Sequence, residues 1–266
     1  FSILNNRISF TVDYYNKYTD NLLLNSQIPA STGYTYAMQN IGKVRNSGWE
    51  FSFESTNIKT PVFAWKSGFN ISFNRNKVLK LNNDQNNRLD FARFQTTYNN
   101  TPMYITEVGK PMGLFYGFIF DGIYQTSDFR NLTEGIYVLN PGVADNGSSD
   151  VSPGVIKYKD INGDGTINDY DRVILGSPHP KHTGGFTNDF SYSTRRIGTF
   201  TLNVLLQWSY GNKVFNANRL IFEGNGTAQV GINQYKSYEE RWTPDHPSNT
   251  LFKTKGAGPQ GFISDR

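Results

Sequence analysis

The sequence predicts an all-β fold, a partial antiparallel transmembrane β-barrel with long extracellular loops. Three observations carry that expectation: long segments of strict apolar/polar alternation, links that are short at one strand end and long at the other, and aromatic residues gathered at strand ends. No run of eighteen apolar residues occurs in the 266 residues, so a helical membrane span is excluded. A barrel is not, because alternating strands keep the mean hydropathy low, here −0.54.

The clearest element is FTLNVLLQWSY at 200–210, where Phe200, Leu202, Val204, Leu206, Trp208 and Tyr210 occupy every even position. At 37% hydrophobic content, six in a row at one parity arises by chance at a given site with a probability of roughly 0.003, so the pattern is a strand signal. Eleven residues at about 3.3 Å each, tilted by about 45°, cross roughly 25 Å, the height of an outer-membrane barrel's apolar band.

The preceding segment sets Phe186, Phe190 and Tyr192 against Thr187, Asp189 and Ser191, followed by the polar link STRRIG, and reads as a hairpin. Near the start, Ile8, Phe10, Val12 and Tyr14 alternate with Ser9, Thr11, Asp13 and Tyr15. Two more strands follow, Trp49, Phe51 and Phe53 in one and Phe63, Trp65, Phe69, Ile71 and Phe73 in the next, joined by the short TNIKTP. The expected organisation is one partial barrel domain over 1–266: strands in 1–79 with a loop at 25–41, a long extracellular region at 80–182, a hairpin at 183–210 and an extracellular loop at 211–266. Tyr14, Tyr15, Tyr18, Trp208 and Tyr210 are candidates for an interfacial girdle. One helical patch is expected at 233–242, ended by Pro244. The same alternation also fits a soluble β-sandwich with large insertions.

Composition removes several functions. There is no cysteine, which excludes disulfide staples, Cys-ligated zinc and thiol catalysis. The 26 basic and 22 acidic residues are scattered, without the Lys/Arg stripe of a nucleic-acid footprint. The three histidines, His179, His182 and His246, have no carboxylate at a zinc or triad spacing and read as solvated loop residues. The glycine-rich GNGT at 224–227 and GAGPQG at 256–261 do not join a strand to a helix, so neither is a phosphate loop. Adjacent carboxylates such as Glu239 and Glu240 lack the facing arrangement that acid/base chemistry needs, and no enzyme is expected.

One motif has sharp chemistry. In DINGDGTINDYD at 160–171, Asp160, Asn162, Asp164, Asn168 and Asp171 fall at loop positions 1, 3, 5, 9 and 12. Thr166 stands at position 7, which offers a backbone carbonyl, and Gly165 at position 6, where the chain must turn sharply. This is calcium-loop spacing, with the shorter Asp where position 12 usually holds Glu. Its flanks are extended or proline-broken, which points to a structural staple and not to a sensor that moves helices. The same residues also suit an Asx-rich turn closed by its own hydrogen bonds.

Taken in order, NRISFTVDYYNKYTDNLLL, NIGKVRNSGWEFSFESTNIKT, GKPMGLFYGFIFDGIYQ, YKDINGDGTINDYDRVILGSPHPKHTGGF, QWSYGNKVFN and RWTPDHPSNT resemble the C-terminal barrel of SusC/RagA-type TonB-dependent transporters. The resemblance implies a piece of a barrel of about 22 strands, without its plug and final strands, in the Gram-negative outer membrane. It further implies uptake of oligosaccharides or peptides with energy relayed through TonB, and a SusD-like lipoprotein as lid. The acidic loop of such transporters maps onto Asp160 to Asp171. The alternative function is a soluble, calcium-dependent glycan-binding β-sandwich, in which the aromatics, including those of FARFQTTYNNTPMY at 91–104, would stack on sugars. The two readings predict opposite environments for Phe200 to Tyr210: facing lipid in one, covered by a second sheet in the other.

Overall fold

The computed structural model describes residues 1–27, 36–81, 88–93, 102–133, 136–146, 151–223, 233–253 and 264–265. Its strands are β1 (Ser2–Ile3), β2 (Ile8–Gln27), β3 (Tyr36–Lys59), β4 (Phe63–Lys80), β5 (Arg88–Arg93), β6 (Pro102–Glu107), β7 (Leu114–Gly117), β8 (Phe120–Ile123), β9 (Phe129–Thr133), β10 (Ile136–Leu139), β11 (Ile156–Tyr158), β12 (Val173–Gly176), β13 (His182–Thr194) and β14 (Gly198–Tyr210), with one α-helix, α1 (Ala217–Phe222). The chain divides into two compact units. One comprises Phe1–Leu89, Thr106–Gly113 and Ser177–Lys213; the other comprises Asp90–Ile105, Leu114–Gly176 and Val214–Arg266.

The first unit is a six-stranded sheet in the order β1-β2-β3-β4-β13-β14, antiparallel throughout. Its strands are long because alternation lets each residue satisfy its backbone in the ladder while its side chain chooses a face. Tight turns close one end. At residues 60–62, Thr60 Oγ1 donates to the Phe63 carbonyl at 2.9 Å and the Thr60 amide donates to the same carbonyl at 2.8 Å. At residues 195–197 the Ile197 amide donates to Thr194 Oγ1 at 3.1 Å.

The expected loop at 25–41 is shorter than the sequence suggests, since β2 and β3 stay paired out to Gln27 and Tyr36, with irregularities between Thr19 and Leu23. The strands outrun their own alternation there, because a ladder needs only backbone groups to continue. Beyond Phe73 the edge of β4 is taken by the segment Thr106–Gly113: the Val78 amide donates to Lys110 O at 2.9 Å and the Gly109 amide to Val78 O at 2.8 Å. Val44, Val78 and Leu81 are buried there, with Leu22 and Val108 packed against them.

The second unit is built from short strands, a four-stranded sheet β12-β7-β6-β5 and the pairs β8/β11 and β9/β10. Its core gathers Phe118, Ile123, Ile156, Tyr158, Ile167, Trp242 and Phe252, beside a second cluster of Tyr124, Phe129 and Val155. The patch expected to be helical at 233–242 forms a 3-10 turn at Lys236–Glu240 instead. Trp242 just after it is buried in the core and donates through Nε1 to Gln125 Oε1 at 3.1 Å, which holds the chain in an extended path. Helix α1 was not expected from the sequence; Asn216 caps it by accepting from the Arg219 amide at 3.1 Å.

Candidate functional site: an apolar sheet face and an acidic loop

Register turns the alternation of single strands into rows across the sheet. Phe10, Phe53, Phe69, Phe186 and Leu206 lie directly opposite one another in succession across five strands. The next row is Val12, Phe51, Ile71, Gly184 and Trp208. Tyr14, Trp49 and Phe73 follow, with His182 opposite Tyr210 continuing the line. Towards the tight turns come Ile58, Trp65, Phe190 and Leu202, then Phe63, Tyr192 and Phe200. A bulge between Thr56 and Ile58 brings Ile58 onto this face.

The opposite face is polar. Thr11, Ser52, Asn70, Gly185 and Gln207 form one row there, and Asp13, Glu50, Ser72, Thr183 and Ser209 another. The apolar face is open: Leu202 and Leu206 are each 59% exposed, Phe200 55% and Tyr210 60%. A soluble protein does not leave so wide a contiguous apolar surface to water. From Phe63 to Phe73 along β4 is ten residue steps, about 33 Å of strand and about 23 Å when tilted by about 45°.

Aromatic contacts bound the face at the end away from the tight turns. The Tyr14 and Trp49 ring centroids are 4.8 Å apart, those of Phe73 and His182 5.7 Å, and those of His182 and Tyr210 5.1 Å. Trp208 lies over Gly184 and donates through Nε1 to His182 Nδ1 at 3.2 Å. A Cβ at Gly184 would fall 2.6 Å from the Asn70 carbonyl oxygen and against the Trp208 ring, so this row needs its glycine.

Two expectations are corrected here. Tyr15 does not join the girdle. It neighbours Tyr14 in sequence and so points to the polar face, where its hydroxyl donates to Asn74 Oδ1 at 3.0 Å. His182 is not a solvated loop residue, since β13 begins with it and seats it among aromatic rings. His179 reaches the Met112 carbonyl at 2.7 Å, while His246 is exposed.

One polar row interrupts the apolar face, Ser55, Ser67 and Asn188 in register across β3, β4 and β13. These groups pair among themselves. Ser55 Oγ donates to Asn57 Oδ1 at 2.9 Å, Asn57 Nδ2 to Ser67 Oγ at 2.7 Å, and Ser67 Oγ to Asn188 Oδ1 at 2.7 Å, an oxygen that also accepts from Trp65 Nε1 at 2.9 Å. Such closure is what a polar group needs where water is absent. No sequence signal within one strand marked this row.

The acidic loop lies in the second unit. The Gly163 and Gly165 amides donate to Asp160 at 2.6 and 2.8 Å, and Gly165 takes φ +84°, the turn expected at position 6. Asp164 accepts from the Thr166 amide at 2.8 Å and from Asn162 Nδ2 at 2.9 Å, and these bonds, the Thr166 amide foremost, hold its carboxyl below the usual carboxylate range. Asn168 Nδ2 donates to the Thr166 carbonyl at 3.2 Å. Asp171 is fully buried, and its carboxylate accepts from the amides of Ile161 and Asn168 at 2.8 Å each and of Asn162 at 3.4 Å.

Asp160, Asn162, Asp164, Thr166 and Asn168 thus share one hydrogen-bonded turn, which Asp171 closes through the backbone. Among the described residues no three of His, Asp and Glu form a metal-holding group. The loop's donor set is mixed instead, carboxylate, amide and carbonyl oxygens, of the kind a hard cation accepts, and a carboxylate has about four lone-pair sites, more than these bonds use on Asp160 or Asp164. The glycine-rich stretches at 224–227 and 256–261 lie outside the described residues, as does most of the aromatic stretch at 91–104.

A long antiparallel sheet with one open apolar face, aromatic rows at its border and a polar opposite face defines the wall of a membrane β-barrel. Residues 1–133 match the family model described as TonB dependent receptor-like, beta-barrel, and the chain belongs to that family. TonB-dependent receptor P3 of Formosa agariphila is 33% identical over 250 residues, covering 94% of this chain and 23% of its own length. TonB-dependent receptor SusC of Bacteroides thetaiotaomicron is 31% identical over 205 residues, 73% of this chain and 18% of SusC. Among solved structures, the RagAB peptide importer in its open-open state shares the fold with a TM-score of 0.67 at 23% identity, covering 96% of this chain and 24% of the other. The chain spans about a quarter of the length of the first of these receptors.

Proposed function

We propose that the chain forms part of the wall and of the extracellular region of an outer-membrane importer, energised through TonB, that takes up oligosaccharides or peptides beneath a SusD-like surface lipoprotein. The observation that carries this reading is the open apolar face: Phe200, Leu202, Leu206 and Tyr210 are all more than half exposed. In a glycan-binding sandwich a second sheet would cover these residues, so the soluble alternative is not favoured. The polar face would line the barrel interior, and the ladder edge of β14 would pair with a further strand, because an open edge in lipid costs several kcal/mol per unpaired group. Likeness in fold to a peptide importer supports the peptide class, and similarity to TonB-dependent receptors supports the energising through TonB.

The test is fractionation and uptake. Cells expressing the protein that carries this chain should hold it in the outer membrane and import a labelled oligosaccharide or peptide only when TonB is functional. Recovery in a soluble fraction would overturn the reading.

The acidic loop is proposed as a calcium staple of the extracellular region, with Asp160, Asn162, Asp164, Thr166 and Asn168 supplying oxygens and Asp171 fixing the loop. Supporting this are the loop spacing, the turn at Gly165 and the mixed set of oxygen donors gathered on one turn. Titration calorimetry with calcium chloride should give heat that Asp160→Asn with Asp164→Asn abolishes. Equal traces for the two proteins would leave an Asx turn.

A further inference from the structure

Just beyond the aromatic border, on the same face, the apolar rows give way to cations. Asn16, Ser47 and Arg75 lie in register one row past Tyr14, Trp49 and Phe73, and Tyr18, Arg45 and Lys77 form the next row. Lys43 opposes Lys80 further along the same ladder. Arg45 and Lys43 both stand over the Tyr18 ring, at 5.8 and 5.5 Å from its centroid, and Arg45 Nε donates to Asn16 Oδ1 at 2.8 Å. Among the described residues the acid in contact with this group is Asp20, which pairs with Lys43 at 3.0 Å. Arg75 and Lys77 are exposed, and no ion pair joins Arg45, Arg75 or Lys77 to a carboxylate among the described residues.

The ladder therefore sets like charges opposite one another twice, Lys43 with Lys80, where Asp20 pairs with Lys43, and Arg45 with Lys77, where no ion pair to a carboxylate is formed among the described residues. Such pairs are destabilising unless an anion lies between them. Depth identifies the anion. Rows two residues apart along a strand tilted by about 45° are about 5 Å apart in height, so Arg75 stands about 5 Å and Arg45 with Lys77 about 9 Å beyond the aromatic border. The headgroup layer adds about 5 to 7 Å on each side of the hydrocarbon, so the Arg75 backbone stands within it and those of Arg45 and Lys77 about 2 Å outside it, a distance their long side chains span. These strand ends carry the long connections, which places them in the outer leaflet.

We propose that Arg45, Arg75 and Lys77, with Tyr18 and Lys43 beside them, form a binding site for the phosphorylated headgroup of an anionic outer-leaflet lipid. The inference rests on the membrane-wall reading. The guanidinium groups supply fork-shaped donors that match phosphate oxygens, and Lys77 adds a point charge. Tyr18 presents an aromatic face at interfacial depth, and cation–π contact holds the Arg45 and Lys43 head groups at that level. The rows below are apolar and would receive the acyl chains of the same lipid.

The test uses the protein that carries this chain, purified in detergent and exchanged into vesicles of phosphatidylcholine doped with bis-phosphorylated lipid A or with its dephosphorylated form. Native mass spectrometry reads the lipid retained. The wild type should keep the phosphorylated lipid, and Arg45→Gln with Arg75→Gln and Lys77→Gln should retain at least tenfold less, since each cation near an anionic surface gives about fivefold. Lys66→Gln, on the polar face, should match the wild type. Should the triple variant fail to insert, the salt dependence of retention by the wild type decides, and retention should fall steeply between 50 and 500 mM salt. Free inorganic phosphate at millimolar concentration should not displace the lipid; displacement would mean a phosphate site and overturn the lipid assignment. Insertion with equal retention of both lipids, or retention unchanged by salt, would overturn the inference while leaving the wall reading intact. Failure of the wild type to enter vesicles would overturn both.

Discussion

Replacing Leu206 by arginine separates a membrane wall from any soluble sheet, because the two environments assign the change different costs. On β14 the apolar face runs from Phe200 to Tyr210, so its centre is at residue 205, and Val204 and Leu206 each lie one residue from it. One step at about 3.3 Å, tilted by about 45°, puts Leu206 about 2.3 Å from the midplane. An arginine at that depth costs about 2 to 4 kcal/mol, a factor of about 30 to 900 in the folding equilibrium. Leu206 is 59% exposed, so in water the same change would fall within about 0.5 kcal/mol. Tyr210→Arg, at the aromatic border, should cost about 0 to 1 kcal/mol. Gln207→Arg, on the polar face one residue step from Leu206, controls for the introduced arginine at nearly the same depth. The assay is reversible urea unfolding of the protein in phospholipid vesicles, followed by tryptophan fluorescence. Equal costs for Leu206→Arg and Gln207→Arg, within about 0.5 kcal/mol, would refute the argument that the face of Phe200 to Tyr210 meets lipid.

Three further outcomes follow from particular contacts. Gly184→Val should destabilise the sheet by about 1 to 3 kcal/mol and shift the Trp208 emission, since the new side chain meets the Asn70 carbonyl, which the ladder holds, and the Trp208 ring; an unchanged spectrum and midpoint would contradict the close approach. Asp171→Ala should cost about 1 to 3 kcal/mol in the second unit by stripping the amides of Ile161 and Asn168 of their acceptor, which hydrogen exchange at those two residues would report. Tyr124 is fully buried, donates to the Ala144 carbonyl at 2.5 Å, and is pushed well above the usual phenol range by burial and by the nearby Asp145 and Asp128. The unfolded phenol loses its proton near pH 10 while the folded one keeps it, so the unfolded state binds fewer protons and stability falls as pH rises above about 10. Tyr124→Phe should flatten that alkaline loss, and an unaltered pH profile would exclude Tyr124 as its source.

The strands that cross the apolar band were legible because the band imposes a demand at every second residue, and the alternation of β2, β3, β4, β13 and β14 is that demand written out. Beyond the band the demand ends. The outward reach of β2 and β3 to Gln27 and Tyr36 therefore left no pattern to read. The same reason hid the second unit's core: β11 has three residues, too few for a period, and Trp242 finds Gln125 across 117 residues of sequence. Tyr15 was misread because clustering in sequence was taken for clustering on a face, whereas neighbours in a strand always part.

Charge shows most clearly what a linear reading loses. Along the chain the Lys and Arg residues are scattered, and no stripe is visible. Arg45 and Lys77 are separated by 32 positions, yet the ladder sets them side by side, and Lys43 and Lys80 after them. A helix displays its charged stripe within one segment, at spacings of three and four. A sheet assembles its stripe from one residue per strand, so only the register between strands can reveal it. Ser55, Ser67 and Asn188 make the same point from the opposite sign of hydropathy: each is a lapse in its own strand, and together they are a closed row of hydrogen bonds. In a chain of this class, ligand-bearing surfaces are properties of rows, and a search for them has to run across the strands once the pairing is known.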